Sequence, residues 1–143
     1  MILHGMVRAG ALMGVALALT LPLAASQGKG RPKISLRATP NVAFAPARMV
    51  VTAEFTDGAD DFQEYYCAKV SWEWGDGTES SAQDDCDPYE AGKSQIRRRY
   101  SNEHKFIDPG VYDVRFRLKQ GDKVVVASTL TLRIRDGAPA PIR

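Results

Sequence analysis

This sequence predicts an all-β fold, an immunoglobulin-like antiparallel β-sandwich of about seven strands, on three observations. Apolar and polar residues alternate with period two in several short runs, which is how half-buried antiparallel strands read. Turn dipeptides separate the runs: Asp57-Gly58, Asp76-Gly77, Pro109-Gly110 and Gly121-Asp122. Beyond the N-terminal stretch, no segment repeats apolar residues at helical spacing. Several short strands over about 100 residues favour a sandwich over a barrel.

Residues 1–26 read as a secretory signal. Arg8 supplies a positive start, residues 11–23 an apolar run, and Ala24-Ala25-Ser26 small residues for cleavage. The run is short against the roughly 20 residues of a membrane span; the competing reading is an uncleaved anchor. The chain is therefore expected to be secreted, periplasmic or at the cell surface, without stable membrane insertion after cleavage. Residues 27–33 form a flexible polar lead-in, residues 34–135 the sandwich domain, and residues 136–143, with two prolines, a disordered tail.

Within the domain, Ile34, Leu36 and Ala38 form a first strand that Pro40 ends. Val51, Ala53 and Phe55 share one face of a second, with Thr52 and Glu54 opposite. Tyr66, Ala68, Val70, Trp72 and Trp74 line a third, with Lys69, Ser71 and Glu73 opposite. Tyr112, Val114, Phe116 and Leu118 line a fourth, with Asp113, Arg115, Arg117 and Lys119 outward. Leu130, Leu132 and Ile134 complete the set, with Thr131, Arg133 and Arg135 outward. Weaker signals mark short elements around residues 94–100 and 124–127.

Cys67 and Cys86 are the two cysteines. In an exported chain they are expected to pair; free thiols or a metal pair are the alternative. Charge is unevenly spread. Residues 54–90 hold 12 acids and one base, Lys69, whereas residues 91–143 hold 12 bases and 5 acids. Strand alternation is expected to turn this into two differently charged surfaces.

The motifs of this chain resemble those of the PKD domain, the immunoglobulin-like module named after the polycystic kidney disease protein. Trp72-Glu73-Trp74-Gly75-Asp76-Gly77-Thr78 is similar to the family's Trp-Asp-Phe-Gly-Asp-Gly hallmark. His104-Lys105-Phe106 followed by Pro109-Gly110-Val111-Tyr112-Asp113-Val114 is similar to its His-x-Tyr and Pro-Gly-x-Tyr-x-Val segment. The resemblance covers about residues 34–135. Asp76-Gly77 suits a two-residue type I′ turn, which needs positive φ at both positions. Asp76 is expected to cap its own loop, His104 to make a structural hydrogen bond beside it, and Tyr112 to be a core ring. A hairpin turned about Asp76-Gly77 places Cys67 opposite Cys86 but aims Glu79, Ser81 and Gln83 at the core, so pairing is expected to fail beyond about Ser81. The disulfide then staples an inserted surface loop to the sheet.

One histidine outside the signal leaves the hydroxyls and thiols without a partner base, so catalysis is not expected. Asp57, Asp60 and Asp61, or Asp84, Asp85 and Asp87, offer hard oxygen ligands for calcium; the alternative is that they solvate loops. No other cofactor is implied. Arg115, Arg117, Arg133 and Arg135, with Arg97, Arg98 and Arg99 expected nearby, make a basic face suited to an acidic polysaccharide or protein, or simply a solvated, protected sheet. Export and the lack of interleaved aromatics argue against nucleic acid. The resemblance implies a secreted, non-catalytic module for protein–protein or protein–carbohydrate contact at the cell exterior, its partner an unknown protein or glycan. The alternative is a structural, self-associating component of the cell envelope or surface.

Overall fold

The computed structural model describes residues 30–137. The expected signal, the start of the lead-in and residues 138–143 of the tail lie outside these. Eight strands form two facing sheets. A three-stranded antiparallel sheet has the order β1 (Lys33–Thr39), β3 (Ala47–Thr56), β6 (Arg99–Phe106). The other has the order β2 (Ala43–Phe44), β8 (Lys123–Arg135), β7 (Gly110–Gln120), β4 (Lys69–Glu73), β5 (Glu79–Ala82), with only β2 parallel to its neighbour. Among the described residues no helix is long and apolar enough to cross a membrane. Within the described part of the lead-in, the Gly30 carbonyl accepts from the Ala59 N–H at 3.0 Å, and Pro32 is buried.

The core lies between the sheets and is rich in aromatic rings. Trp72, Trp74, Tyr65, Phe106 and Phe116 are among its most buried side chains. Rings of this size dominate core energetics, each costing about 3–5 kcal/mol on truncation to Ala. Trp72 packs edge-on to Phe116 at 4.7 Å, and Phe55 bridges Tyr65, Tyr100 and Phe116.

Four expectations change. First, Tyr66 is not a face residue of the third strand. Cys67 takes a φ of 49°, so alternation does not extend back past the buried Ala68, and a 3-10 turn at Gln63–Tyr65 buries Tyr65 instead. Second, the signal around residues 94–100 belongs to a strand that begins only at Arg99. Its inward positions are Tyr100, Asn102, His104 and Phe106, and the two polar members hid the alternation. Third, the weak element around residues 124–127 merges with the last strand into β8, with a bulge opposite Leu118/Lys119. Fourth, Thr52 and Ser71 are buried although both face away from the core. Thr52 is paired in register with Ser101, and their hydroxyls bond at 2.9 Å.

The hallmark turn also differs. Gly75 and Gly77 take positive φ values of 79° and 86°, and Asp76 between them does not. Residues 75–77 thus form a three-residue loop, closed by the Trp74 N–H donating to the Thr78 carbonyl at 3.1 Å. The extra residue moves the β4–β5 register by one, which exchanges the faces of β5. Trp72 now opposes Ser80 and Val70 opposes Ala82, so Glu79 and Ser81 point outward. Pairing ends at Ala82.

Candidate functional site

The loop between β4 and β5 is held by one carboxylate. Asp76 Oδ1 accepts from the Thr78 N–H at 3.0 Å and its hydroxyl at 2.6 Å, while Oδ2 meets His104 Nε2 at 2.6 Å. His104 lies on β6, in the opposite sheet, so this pair ties the two layers together at one end of the sandwich. Its ring stacks on Trp74 at 4.5 Å, and Trp74 stacks on Trp72 at 5.9 Å, with interplanar angles of 9° and 10°. Trp74 Nε1 donates to Ser80 Oγ at 2.9 Å, a bond available only because the register puts Ser80 inward.

Burial works to raise the Asp76 pKa, but the Thr78 hydroxyl, the His104 bond, the Thr78 N–H and the imidazole charge outweigh it. The carboxyl therefore titrates below its ordinary value. The order of groups matters chemically. The hydroxyl of Thr78 bonds the carboxylate, not the imidazole, so no nucleophile faces the histidine as a hydrolytic triad requires. The cluster is built to hold a loop.

Gly75 is needed twice over. Its φ is positive, and a Cβ there would stand 2.9 Å from the Asp113 backbone nitrogen. Pro109 and Gly110 lead into β7, where the half-buried Tyr112 packs 4.5 Å from Phe106 and donates its hydroxyl to the Asp108 carbonyl at 2.8 Å.

At the other end of the sandwich, the connections 57–68 and 83–98 fold onto one another. Cys67 and Cys86 are joined by a disulfide with Cα atoms 6.0 Å apart. Tyr66 and Tyr89 pack at 5.6 Å, and their hydroxyls donate to the Asp87 and Asp61 carbonyls. Arg98 is the central residue here, and it serves these connections rather than the basic face. It binds the Asp60 carboxylate with Nε and Nη2 at 2.9 and 2.6 Å, and donates to the Asp57 and Gly58 carbonyls. Arg97 spans both Asp84 oxygens at 3.2 Å and sits 4.8 Å over the Tyr100 ring, whose hydroxyl pKa burial pushes up to about 12.

This arrangement corrects two expectations. Asp57, Asp60 and Asp61 do not converge on a common point: Asp57 pairs with Lys33 at 3.1 Å, Asp60 with Arg98, and Asp61 accepts from the Gly92 N–H at 3.2 Å. Among the described residues no three acidic, histidine or cysteine side chains could hold a metal ion. The acidic middle and the basic C-terminal half interlock through these ion pairs instead of forming two separate surfaces. The basic face is likewise broken up. Arg115 and Arg117 both pair with Glu73, whereas Arg133 lies opposite Val111, at the far end of β8 near Arg135.

No family model and no curated protein matches this chain. Among solved structures it is similar to the PKD domain of an M14-like peptidase from Thermoplasmatales archaeon SCGC AB-540-F20. The identity is 16%, the match covers 74% of this chain and 98% of that one, and the TM-score is 0.50. The fold is that of a PKD domain. In this PKD-type sandwich the Trp-Glu-Trp-Gly-Asp-Gly segment supplies both stacked indoles and the loop that His104 secures. The stapled 83–98 segment and the acidic 57–68 connection lie outside the strands, at the opposite end of the sandwich from that loop.

Proposed function

We propose that this PKD-type domain is a secreted, non-catalytic interaction module that makes protein or glycan contacts at the cell exterior. The observation that carries the reading is the use of its reactive groups. The one histidine among the described residues is sandwiched between Trp74 and Phe106 and bonded to Asp76. The cysteines are oxidised to each other, which suits an oxidising compartment. What remains for function is the outward surface of a rigid frame. The likeness to a PKD domain carried by a peptidase supports an accessory role. Incubating the tagged, purified domain with the isolated envelope and exopolysaccharide of its source cells tests this: saturable retention is expected, and absence of any retained partner refutes it.

A second reading, self-association at the cell surface, has its own support. Phe44, Ile107 and Val111 are large apolar side chains that are about half or more exposed, and all lie at the end where β7 begins and β8 finishes. Light scattering across a concentration series separates the two readings: concentration-dependent assembly favours this one, a constant monomer mass the first.

A further inference from the structure

One part of the outer face of the five-stranded sheet, around Lys69 and Lys119, holds cations without matching anions. β4 and β7 are in register with Lys69 opposite Lys119, Ser71 opposite Arg117, and Glu73 opposite Arg115. All six leave the same face, because the alternate residues Val70, Trp72, Phe116 and Leu118 are buried in the core. Like charges directly opposite each other across a ladder are unfavourable. Among the described residues no carboxylate pairs with Lys69 or Lys119. Glu73 is the one acid of the six, and it is shared by two arginines, each through Nη1. Arg115 and Arg117 are therefore matched by Glu73, with Glu79 opposite it, while Lys69 and Lys119 at the other end of β4 are left facing each other.

A second observation lies within the same patch. Ser71 is 1% exposed, and its Oγ has no hydrogen-bond partner among the described residues. It stands between the Lys69–Lys119 pair and the Glu73–Arg115 pair, beside Arg117. A buried hydroxyl without a partner costs free energy. The fold thus places an unrelieved charge pair and an unsatisfied hydroxyl two residues apart on one face of the ladder, and an oxyanion seated between them would relieve both.

We propose that this patch binds an acidic polysaccharide, whose carboxylate or sulfate groups are held by Lys69, Lys119 and Arg117 while the Ser71 hydroxyl supplies a further donor. The proposal rests on the interaction-module reading and names its surface and ligand class. The chemistry of the face favours a polysaccharide over an acidic protein. Protein interfaces have an apolar, desolvated centre. The outward residues of β4 and β5, and those of β7 from Asp113 to Lys119, are polar or charged, and the exposed Val111 and Val124 stand apart near opposite ends of β7 without forming such a centre. The outward Phe44 ring lies on β2, at the opposite edge of the sheet from β4, so recognition around Lys69 and Lys119 has to run through charge. Lys119, Arg117 and Arg115 follow one another along β7 at about 6.6 Å, two residues of strand rise, a row along which a repeating anionic chain can lie.

The test measures binding of the purified chain to heparin and to polygalacturonate, with dextran as neutral control and poly-L-glutamate as the acidic-polypeptide probe. Binding to at least one acidic polysaccharide is expected at low ionic strength, weakening with added salt and absent for dextran. The double substitution K69Q/K119Q should weaken it by at least about tenfold, and R133Q/R135Q, at the end of the same sheet, by less than about twofold. Ser71→Ala should lower affinity several-fold while leaving the thermal midpoint unchanged or raised. Failure to bind either polysaccharide, undiminished binding by K69Q/K119Q, or equal affinity for poly-L-glutamate overturns the proposal. A chain that fails here yet retains a different partner loses this site and keeps the module reading. A merely structural Ser71 would lower the midpoint on substitution and leave affinity alone.

Discussion

Gly75→Ala and Gly77→Ala make a matched pair that tests how the hallmark loop is held. Both glycines have positive φ, near 79° and 86°, and an L-residue placed there costs roughly 1–2 kcal/mol. Their surroundings differ. A Cβ on Gly77 meets nothing within 4 Å, whereas one on Gly75 meets the Asp113 backbone at 2.9 and 3.0 Å. Backbone of a central strand cannot rotate aside as a side chain would, so Gly75→Ala must push the loop off β7. Overpacking of this kind adds about 1–3 kcal/mol. The loop carries Asp76, so its displacement also loosens the bond to His104. Gly77→Ala should therefore lose about 1–2 kcal/mol and Gly75→Ala about 2–5 kcal/mol. For a domain of this size the gap amounts to at least about 4 °C in thermal midpoint. Urea unfolding followed by fluorescence of Trp72 and Trp74 measures both. Equal losses for the two substitutions would refute the claim that close approach to Asp113, beyond φ alone, demands glycine at position 75.

Asp76→Asn should destabilise at neutral pH, with the gap from the parent closing in acid. The folded state holds this carboxyl below its ordinary value, so its stabilisation is complete above about pH 4 and is lost as pH falls through the depressed pKa; urea midpoints between pH 6 and 2, taken at about one-unit steps, check this. C67S/C86S should cost about 3 kcal/mol in the chain-entropy model, given the 19-residue separation, and should expose residues 83–98 to limited proteolysis. Arg98→Ala should cost roughly 2–3 kcal/mol by removing charge-assisted bonds to Asp60 and two carbonyls. Lys at position 98 should recover less than half of that, since an ammonium cannot span those acceptors as a planar fork does; chemical denaturation of the three chains decides it.

How far the sequence could be read depended on which residues stood at inward positions. Where these were uniformly apolar, as in Val114-Phe116-Leu118 of β7 or Trp72-Trp74 beside the turn, local alternation was enough to assign faces and fold. It was not enough for β6, because Asn102 and His104 occupy inward positions and are accommodated only by the ring stack and the Asp76 carboxylate across the sandwich. Nor could alternation place β5. Both glycines around Asp76 take positive φ, the loop gains one residue, and a slip of one exchanges Ser80 for Glu79 at the core. Arg98 looked like any solvated base, since its acceptors lie some 40 residues away along the chain. Period-two patterning is a property of neighbours in sequence, so the chain alone determined the sandwich, its two indoles and its cysteine staple. Register, ion pairing and the unsatisfied Ser71 hydroxyl arise between strands distant in sequence, and only their packing together decided those.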